Sequence, residues 1–352
     1  MTGALTSSGL FGQVLSDPQV AEAFSASRFL AHMLAFERAW TKALGKTGSV
    51  SRANADAALA VIDLFEPDLA ALAAGSNRDG LPVPALIRTL KGAAGDAADA
   101  IHTGATSQDV IDTAMVLALR EVAWILDARL AEALATLSDL RTAYGNRMMM
   151  GRTRMQAALP LPVFARLEIW SRPLAAARTR LAEIAKALPV HVGGAVGLRD
   201  QPEGTGDQMA KLVARELGLP DAPVWHSARA PVAEYGHALM MVAGALGKMG
   251  QDIALMAQQG VDEIQLSGGG GSSAMPHKQN PIIAEAIVTL ARYVAGQQGI
   301  LGQAMIHEQE RSGTAWALEW LVLPAMAEAT GAATRHSSDV LSQIERIGQP
   351  TE

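Results

Sequence analysis

The stretch TSQDVIDTAMVLALREVAWILDARLAEALATLSDL, Thr106 to Leu140, decides the fold class. Its apolar residues Ile111, Met115, Ala118, Val122, Ile125, Leu130, Ala133, Leu137 and Leu140 follow one another at the spacing of one helix face. The run has no proline and is longer than an ordinary globular helix. Thr106 or Ser107 can cap its start, with Asp109 in the first turn. The same spacing predicts further long helices over Leu239–Met256, from Pro162 to about Leu188 with a kink at Pro173, from Pro281 to Met305, and from Leu318 to Ile347 with Pro324 near its start. Shorter helices are expected at Val20–Leu44, Arg52–Ala74 and Pro84–Ala94. Alternating strands are nearly absent, and Val190–Gly206 reads as a loop between two bundle helices. Long helices with broad apolar faces must bury them on one another. The expectation is an all-α protein with a small N-terminal helical domain (1–100) and an elongated long-helix bundle (101–352). Such faces also suggest an oligomer.

Composition supports this reading. Of 352 residues, 49% are hydrophobic and 18% charged, enough to build a core. Aromatics are 4%, so the apolar content is mostly Ala, Leu, Val, Ile and Met, which suit close-packed helices. The absence of cysteine removes disulfides, thiolate catalysis and Cys metal sites. A net charge of −6 disfavours a nucleic-acid partner, and no histidine pair has zinc-site spacing. No Lys or Arg precedes Arg28, and no run is long and apolar enough for a membrane helix. A cytoplasmic protein without membrane contact is expected.

The most unusual segment is Ser267-Gly-Gly-Gly-Gly-Ser-Ser-Ala-Met-Pro-His-Lys-Gln-Asn-Pro281. Glycine and serine alone would make a linker. A linker has no need of the Met-Pro-His-Lys-Gln-Asn-Pro half, however, and four glycines permit the φ/ψ change of a lid. Ser272, Ser273, Lys278 and Asn280 are then polar groups brought over a site. There is no Gly-Lys-Ser/Thr, so this is not a phosphate-binding P-loop.

Gly271 to Pro281 resembles the signature loop of the fumarase/aspartase superfamily, commonly GSSxMPxKxNP, at every fixed position. The resemblance implies a mostly helical homotetramer whose active sites each combine three short regions from three subunits. Ile101-His-Thr-Gly-Ala-Thr-Ser-Gln-Asp-Val-Ile-Asp-Thr113 is similar to the first region. There the family's Thr-Ser pair holds substrate, which carries over to Thr106 and Ser107, and His102 matches a site histidine. Unpaired N–H groups at a helix start suit a carboxylate. Met150-Gly-Arg-Thr-Arg-Met-Gln156 is similar to the second region, commonly Thr-His-x-Gln. Thr153 and Gln156 match, but the histidine position is Arg154. Arginine stays protonated, so it cannot cycle as acid and base. It can pair a carboxylate in bidentate fashion, as can Arg152. This departure speaks against adenylosuccinate or argininosuccinate cleavage and favours a substrate with an extra carboxylate.

Val192-Gly-Gly-Ala-Val-Gly197, Trp225-His-Ser-Ala-Arg229 and the segment Met305–Gly313 with Trp316, Glu319 and Trp320 resemble the branch of 3-carboxy-cis,cis-muconate lactonizing enzymes. On the residues alone, Trp316 and Trp320 read as a packing pair, and His191, His237 and His336 as structural. The branch implies interconversion of 3-carboxy-cis,cis-muconate and its lactone through an aci-carboxylate. Ser272 takes the proton, Lys278 and Asn280 steady the charge, and Ser273 and Met275 line the substrate. It implies no metal and no organic cofactor, and a small polycarboxylate as partner. Rival readings are a 4-sulfomuconate variant, an adenylosuccinate lyase-like enzyme and a catalytically retired scaffold. Family members commonly continue for about a hundred residues as a third helical domain, so a bundle without a full C-terminal domain is expected.

Overall fold

The computed structural model describes residues 10–271 and 280–349. Six helices come first: α1 (Gly12–Leu15), α2 (Pro18–Glu22), α3 (Ala26–Thr47), α4 (Arg52–Asp63), α5 (Leu69–Asp79) and α6 (Val83–Ala94). A 3-10 segment, Gly95–Ala100, then leads to α7 (Ser107–Tyr144). The Thr106–Leu140 pattern is thus one helix of 38 residues, about 57 Å long at 1.5 Å per residue. Thr106 is its N-cap, and the Asp109 carboxylate accepts the Thr106 N–H at 2.9 Å. Every residue from Gln108 to Val116 is buried, so protein encloses the first turns of α7 beyond Ser107, while Thr106 and Ser107 at its tip are half-buried.

The remaining long helices are α8 (Val163–Ala187), α10 (Ala230–Met256), α11 (Ile282–Gln303) and α12 (Gly313–Ser342), with the shorter α9 (Gly206–Leu217) between α8 and α10. Neighbours pack in a closed ring, α7 on α8, α8 on α10, α10 on α11, α11 on α12 and α12 back on α7. The α10–α11 contact is close because α10 presents glycine to it. A Cβ on Gly236 would lie 2.2 Å from Leu301 Cδ2, and one on Gly247 2.5 Å from Ala291 Cβ. Pro173 and Pro324 lie inside α8 and α12, and neither ends its helix. No helix among the described residues is long and apolar enough to cross a membrane.

Several expectations need correction. Val20–Leu44 and Arg52–Ala74 are each broken into two helices, α2 with α3 and α4 with α5, and the helix expected from Leu239 starts at Ala230. Val190–Gly206 is irregular only to Thr205, and α9 follows it and packs on α3. The helix expected over Leu318–Ile347 starts earlier, at Gly313, and ends at Ser342. Ile344–Ile347 is instead strand β4, which pairs antiparallel with β3 (Ile264–Leu266). Met148–Thr153 (β1) and Gln156–Pro162 (β2) form an antiparallel hairpin. Its turn residues Arg154 and Met155 both have positive φ, +50° and +67°. That geometry normally announces itself with Asn-Gly or Asp-Gly. Arg-Met gives no such signal.

α7, α10 and α12 are tied together by a buried ion cluster. Arg229 donates to both oxygens of Asp112 (2.6 and 2.9 Å) and both of Glu319 (2.8 and 2.7 Å). Asp112 also accepts from Trp316 Nε1 at 2.8 Å and Gln108 Nε2 at 3.1 Å. Burial alone would raise the Asp112 carboxyl, but Arg229 outweighs it and holds the group below the usual carboxylate range. Arg229→Met would strand two carboxylates in the interior. The expected loss is about 3–5 kcal/mol of unfolding free energy in urea titration. A loss under about 1 kcal/mol would mean the cluster does not hold the bundle.

Candidate active site

The expected site residues fall into two groups at opposite ends of the bundle. His102, Thr106 and Ser107 lie together at the start of α7. Arg152, Thr153, Arg154 and Gln156 lie on the hairpin that follows its far end, about 57 Å away. Asn280 belongs to the hairpin's end of the molecule. Leu255 and Gln258, on and just after α10, line both the cavity of about 310 Å³ under the hairpin and the cavity of about 1010 Å³ beside Asn280. Gly270 and Asn280 exchange backbone hydrogen bonds of 2.9 and 3.0 Å, which closes the base of the signature loop. Ser272, Ser273, Met275 and Lys278 lie outside the described residues.

At the start of α7, the Asp109 carboxylate draws the glycine-rich loop onto the helix. It accepts from His191 Nδ1 (3.0 Å), Gly193 N–H (2.7 Å) and Gly194 N–H (3.2 Å), besides Thr106 N–H. Gly193 is required there, because a Cβ would lie 2.6 Å from His226 Nδ1. Asp109, His191 and His226 bring three potential ligand atoms within 4.8 Å. Asp109 is already committed to these N–H donors, however, and the far side of His226 faces a guanidinium.

That guanidinium is Arg311, a residue the sequence reading did not single out. Its Nε donates to Gln108 Oε1 at 2.9 Å. Its Nη2 lies 3.0 Å from Thr106 Oγ1, 3.1 Å from Ala195 O and 3.0 Å from His226 Nε2. All of these are neutral acceptors. Among the described residues, no carboxylate pairs with Arg311 and Nη1 has no acceptor. An uncompensated, exposed cation therefore sits beside the first N–H groups of a long helix, an arrangement suited to an anion. The only signal in the sequence was its place in the Met305–Gly313 segment.

His102 has φ +60° and pairs through Nδ1 with Glu37 Oε1 at 2.6 Å, while its Nε2 has no partner among the described residues. Glu37 is fully buried in α3. It was invisible to the sequence reading because it lies 65 positions away. Burial would lower the His102 imidazole, but the charge and hydrogen bond of Glu37 outweigh it and raise its pKa.

On the hairpin, Glu263 accepts from Met150 N–H (3.1 Å) and Arg152 Nη1 (2.5 Å). Arg152 is thereby neutralised. Arg154, at the exposed turn, has no ion pair among the described residues. Arg152 lies on strand β1 and Arg154 on the turn that follows it. His191 and His336 are buried and bonded, to Asp109 and to Val14 O respectively. The Trp316–Trp320 pair is present, with centroids 4.7 Å apart and edge to face.

The raised imidazole gives a test. In an NMR titration His102 should titrate above 6.5, and lower in Glu37→Gln, where the charge that outweighs burial is gone. Because its folded pKa is raised, the pair's contribution to stability is full below pH 6.5 and fades as pH rises through the folded value. An unshifted His102 in the variant would remove Glu37 as the cause.

The comparisons with known proteins show the family and the fold. A family model described as Lyase matches residues 8–296. The nitrosuccinate lyase of Streptomyces davaonensis is 34% identical over 97% of this chain and 75% of its own. The 3-carboxy-cis,cis-muconate cycloisomerase of Acinetobacter baylyi is 33% identical over 96% of this chain and 77% of its own. The crystal structure of the 3-carboxy-cis,cis-muconate lactonizing enzyme from Pseudomonas putida superposes with a TM-score of 0.88 at 30% identity, covering 96% of this chain and 77% of that one. With its helical ring, its capped α7 and its signature loop, the chain belongs to the lyase family and is an enzyme of the fumarase/aspartase superfamily.

Proposed function

We propose that this enzyme interconverts 3-carboxy-cis,cis-muconate and its carboxymuconolactone, in the protocatechuate branch of aromatic degradation. The observation that carries the reading is the hairpin tip. Where a lyase with a poor leaving group needs an acid–base residue, this chain holds an arginine at position 154 in an exposed turn with no ion pair among the described residues. A fixed cation suits a polycarboxylate and a reaction in which no amine or water departs.

In the lactone-forming direction a carboxylate oxygen of the muconate bonds to a double-bond carbon of its own chain. The electron pair moves into the neighbouring carboxylate as an aci-carboxylate, and a proton is then delivered to the carbon beside that carboxylate. In reverse, Ser272 removes the proton, and Lys278, Asn280 and loop amides steady the dianion. A serine is a weak base, so closure of the signature loop must strip it of water beside positive charge. Ser107, Thr106 and Arg311 hold one carboxylate at the start of α7, with His102 beside them, and Arg154 holds another. Thr153 and Gln156 flank Arg154 on the hairpin.

One chain cannot bring these groups together across the length of α7. We therefore infer that the working unit is a homotetramer in which three copies share each site. Two features support this. The hairpin is exposed from Arg152 to Pro160, and Trp124 on α7 is 77% exposed, with Leu321 on α12 at 52%.

A second reading is elimination of nitrite from nitrosuccinate, favoured by the Streptomyces davaonensis relative and by the same Arg154, since a stable anion leaves without protonation. Ultraviolet assay of purified protein separates the two. Loss of the muconate diene is expected, without fumarate release from nitrosuccinate; the converse would replace the first reading with the second. Ser272→Ala should lower turnover by about a hundredfold or more without loss of folding. Unchanged turnover would take Ser272 out of the mechanism.

A further inference from the structure

His226 and His191 are buried at 5% and 0% exposure, and each leaves one ring nitrogen without a partner: Nδ1 in His226 and Nε2 in His191. The pairings they do make fix what those nitrogens are. Arg311 Nη2 can only donate, so His226 Nε2 must be a bare acceptor and the ring proton must sit on Nδ1. The Asp109 carboxylate can only accept, so His191 Nδ1 donates to it. The centroids of the two imidazole rings are 5.1 Å apart. The Arg311 contact thus asks for a neutral His226 with its proton on Nδ1. Burial first, then His191 and Arg311, push the His226 imidazole down to about 4, so it stays neutral near pH 7.

Asp109 on α7 holds His191, the His191 ring packs against that of His226, and His226 pairs with Arg311, which returns to Thr106 at the start of the same helix. We propose that His226 is the positioning residue for Arg311. By accepting from Nη2 it holds the guanidinium beside Thr106 and the first N–H groups of α7, where a substrate carboxylate docks. The proposal rests on the reading that α7's N-terminus takes a carboxylate. Its specific content is that His226 acts only through Arg311.

The test uses the full-length protein and tricarballylate, a saturated tricarboxylate with no double bond to react, titrated by calorimetry near pH 7. Arg311→Met should weaken binding by tenfold or more, about the loss of one charge-assisted pair. His226→Ala should weaken it by about tenfold and raise KM for the reactive substrate while kcat changes much less. His226→Gln, whose Oε1 offers an acceptor in place of Nε2, should restore binding close to the wild-type value. In the Arg311→Met background, His226→Ala should add no further loss.

Unchanged binding in His226→Ala, or no rescue by glutamine in a variant of wild-type thermal stability, would overturn the positioning role. So would an additional loss in the double variant, which would mark His226 as general support. If Arg311→Met itself binds tricarballylate normally, the carboxylate reading of α7's N-terminus fails instead.

Discussion

Arg229 lies between Asp112 and Glu319 with its guanidinium fully engaged, and the start of α7 takes its geometry from that cluster. Three helices distant in sequence end up with one lateral position and one register. The consequences run outward by short chain connections. His226 is three residues before Arg229, and its carbonyl accepts from Gln108. Arg311 is five residues before Trp316, whose indole is fixed on Asp112. Asp109 is one turn before Asp112 and gathers the glycine-rich loop. A buried ion cluster of this kind is a poor source of net stability, since desolvation offsets most of its attraction. What it supplies here is register: it permits one arrangement of α7, α10 and α12, and that arrangement puts an unneutralised arginine beside a helix N-terminus.

The second constraint is the length of α7. A helix of 38 residues holds its two ends apart whatever the loops do, so groups at Thr106 and at Arg154 of the same chain never meet. Leu159 and Met155 on the hairpin are 76% and 71% exposed, a poor arrangement for a chain alone in water. Copies placed side by side in opposite directions would bring the hairpin of one to the capped helix of another and cover those surfaces. In the proposed homotetramer, catalysis and assembly are then one requirement.

How much of this was legible in the sequence depended on the range of the interaction. α7, α8 and α11 could be read because their apolar spacing is local and their starts are marked by Thr106-Ser107-Gln108-Asp109 or by proline; of α10 the apolar run was legible from Leu239, but not its start at Ala230. The hairpin could not, since its turn residues are ones that rarely accept positive φ and its strands do not alternate. α9 was hidden by the glycines and prolines on either side, although Met209, Ala210, Val213 and Ala214 do form a helical stripe. In the candidate site, local motifs located Thr106, Ser107, Arg154 and Asn280. The groups that hold others in place escaped notice. Glu37 reaches His102 across 65 positions, Glu263 reaches Arg152 across 111, and Arg311 reaches Thr106 across 205. Such pairings have no period and leave no trace in one sequence.

The same accounting narrows the charge available at the hairpin. The cavity beneath it is lined by Arg152, Arg154, Arg166 and Lys248 with Asp252 and Glu263. Glu263 takes Arg152, and Asp252 takes both Arg166 and Lys248. Of four cations, Arg154 is the one left without an ion pair among the described residues. A permanent cation at that position is a stronger and less versatile device than a histidine. It attracts an anionic group whatever the pH, but it cannot protonate a departing amine or hydroxide. The chemistry it suits is therefore a bond broken to, or formed from, a group already stable as an anion. A carboxylate opening or closing a lactone meets that condition, and so does nitrite. The choice between them rests on how many carboxylates the opposite end of the site must hold, which returns the question to Arg311 and the start of α7.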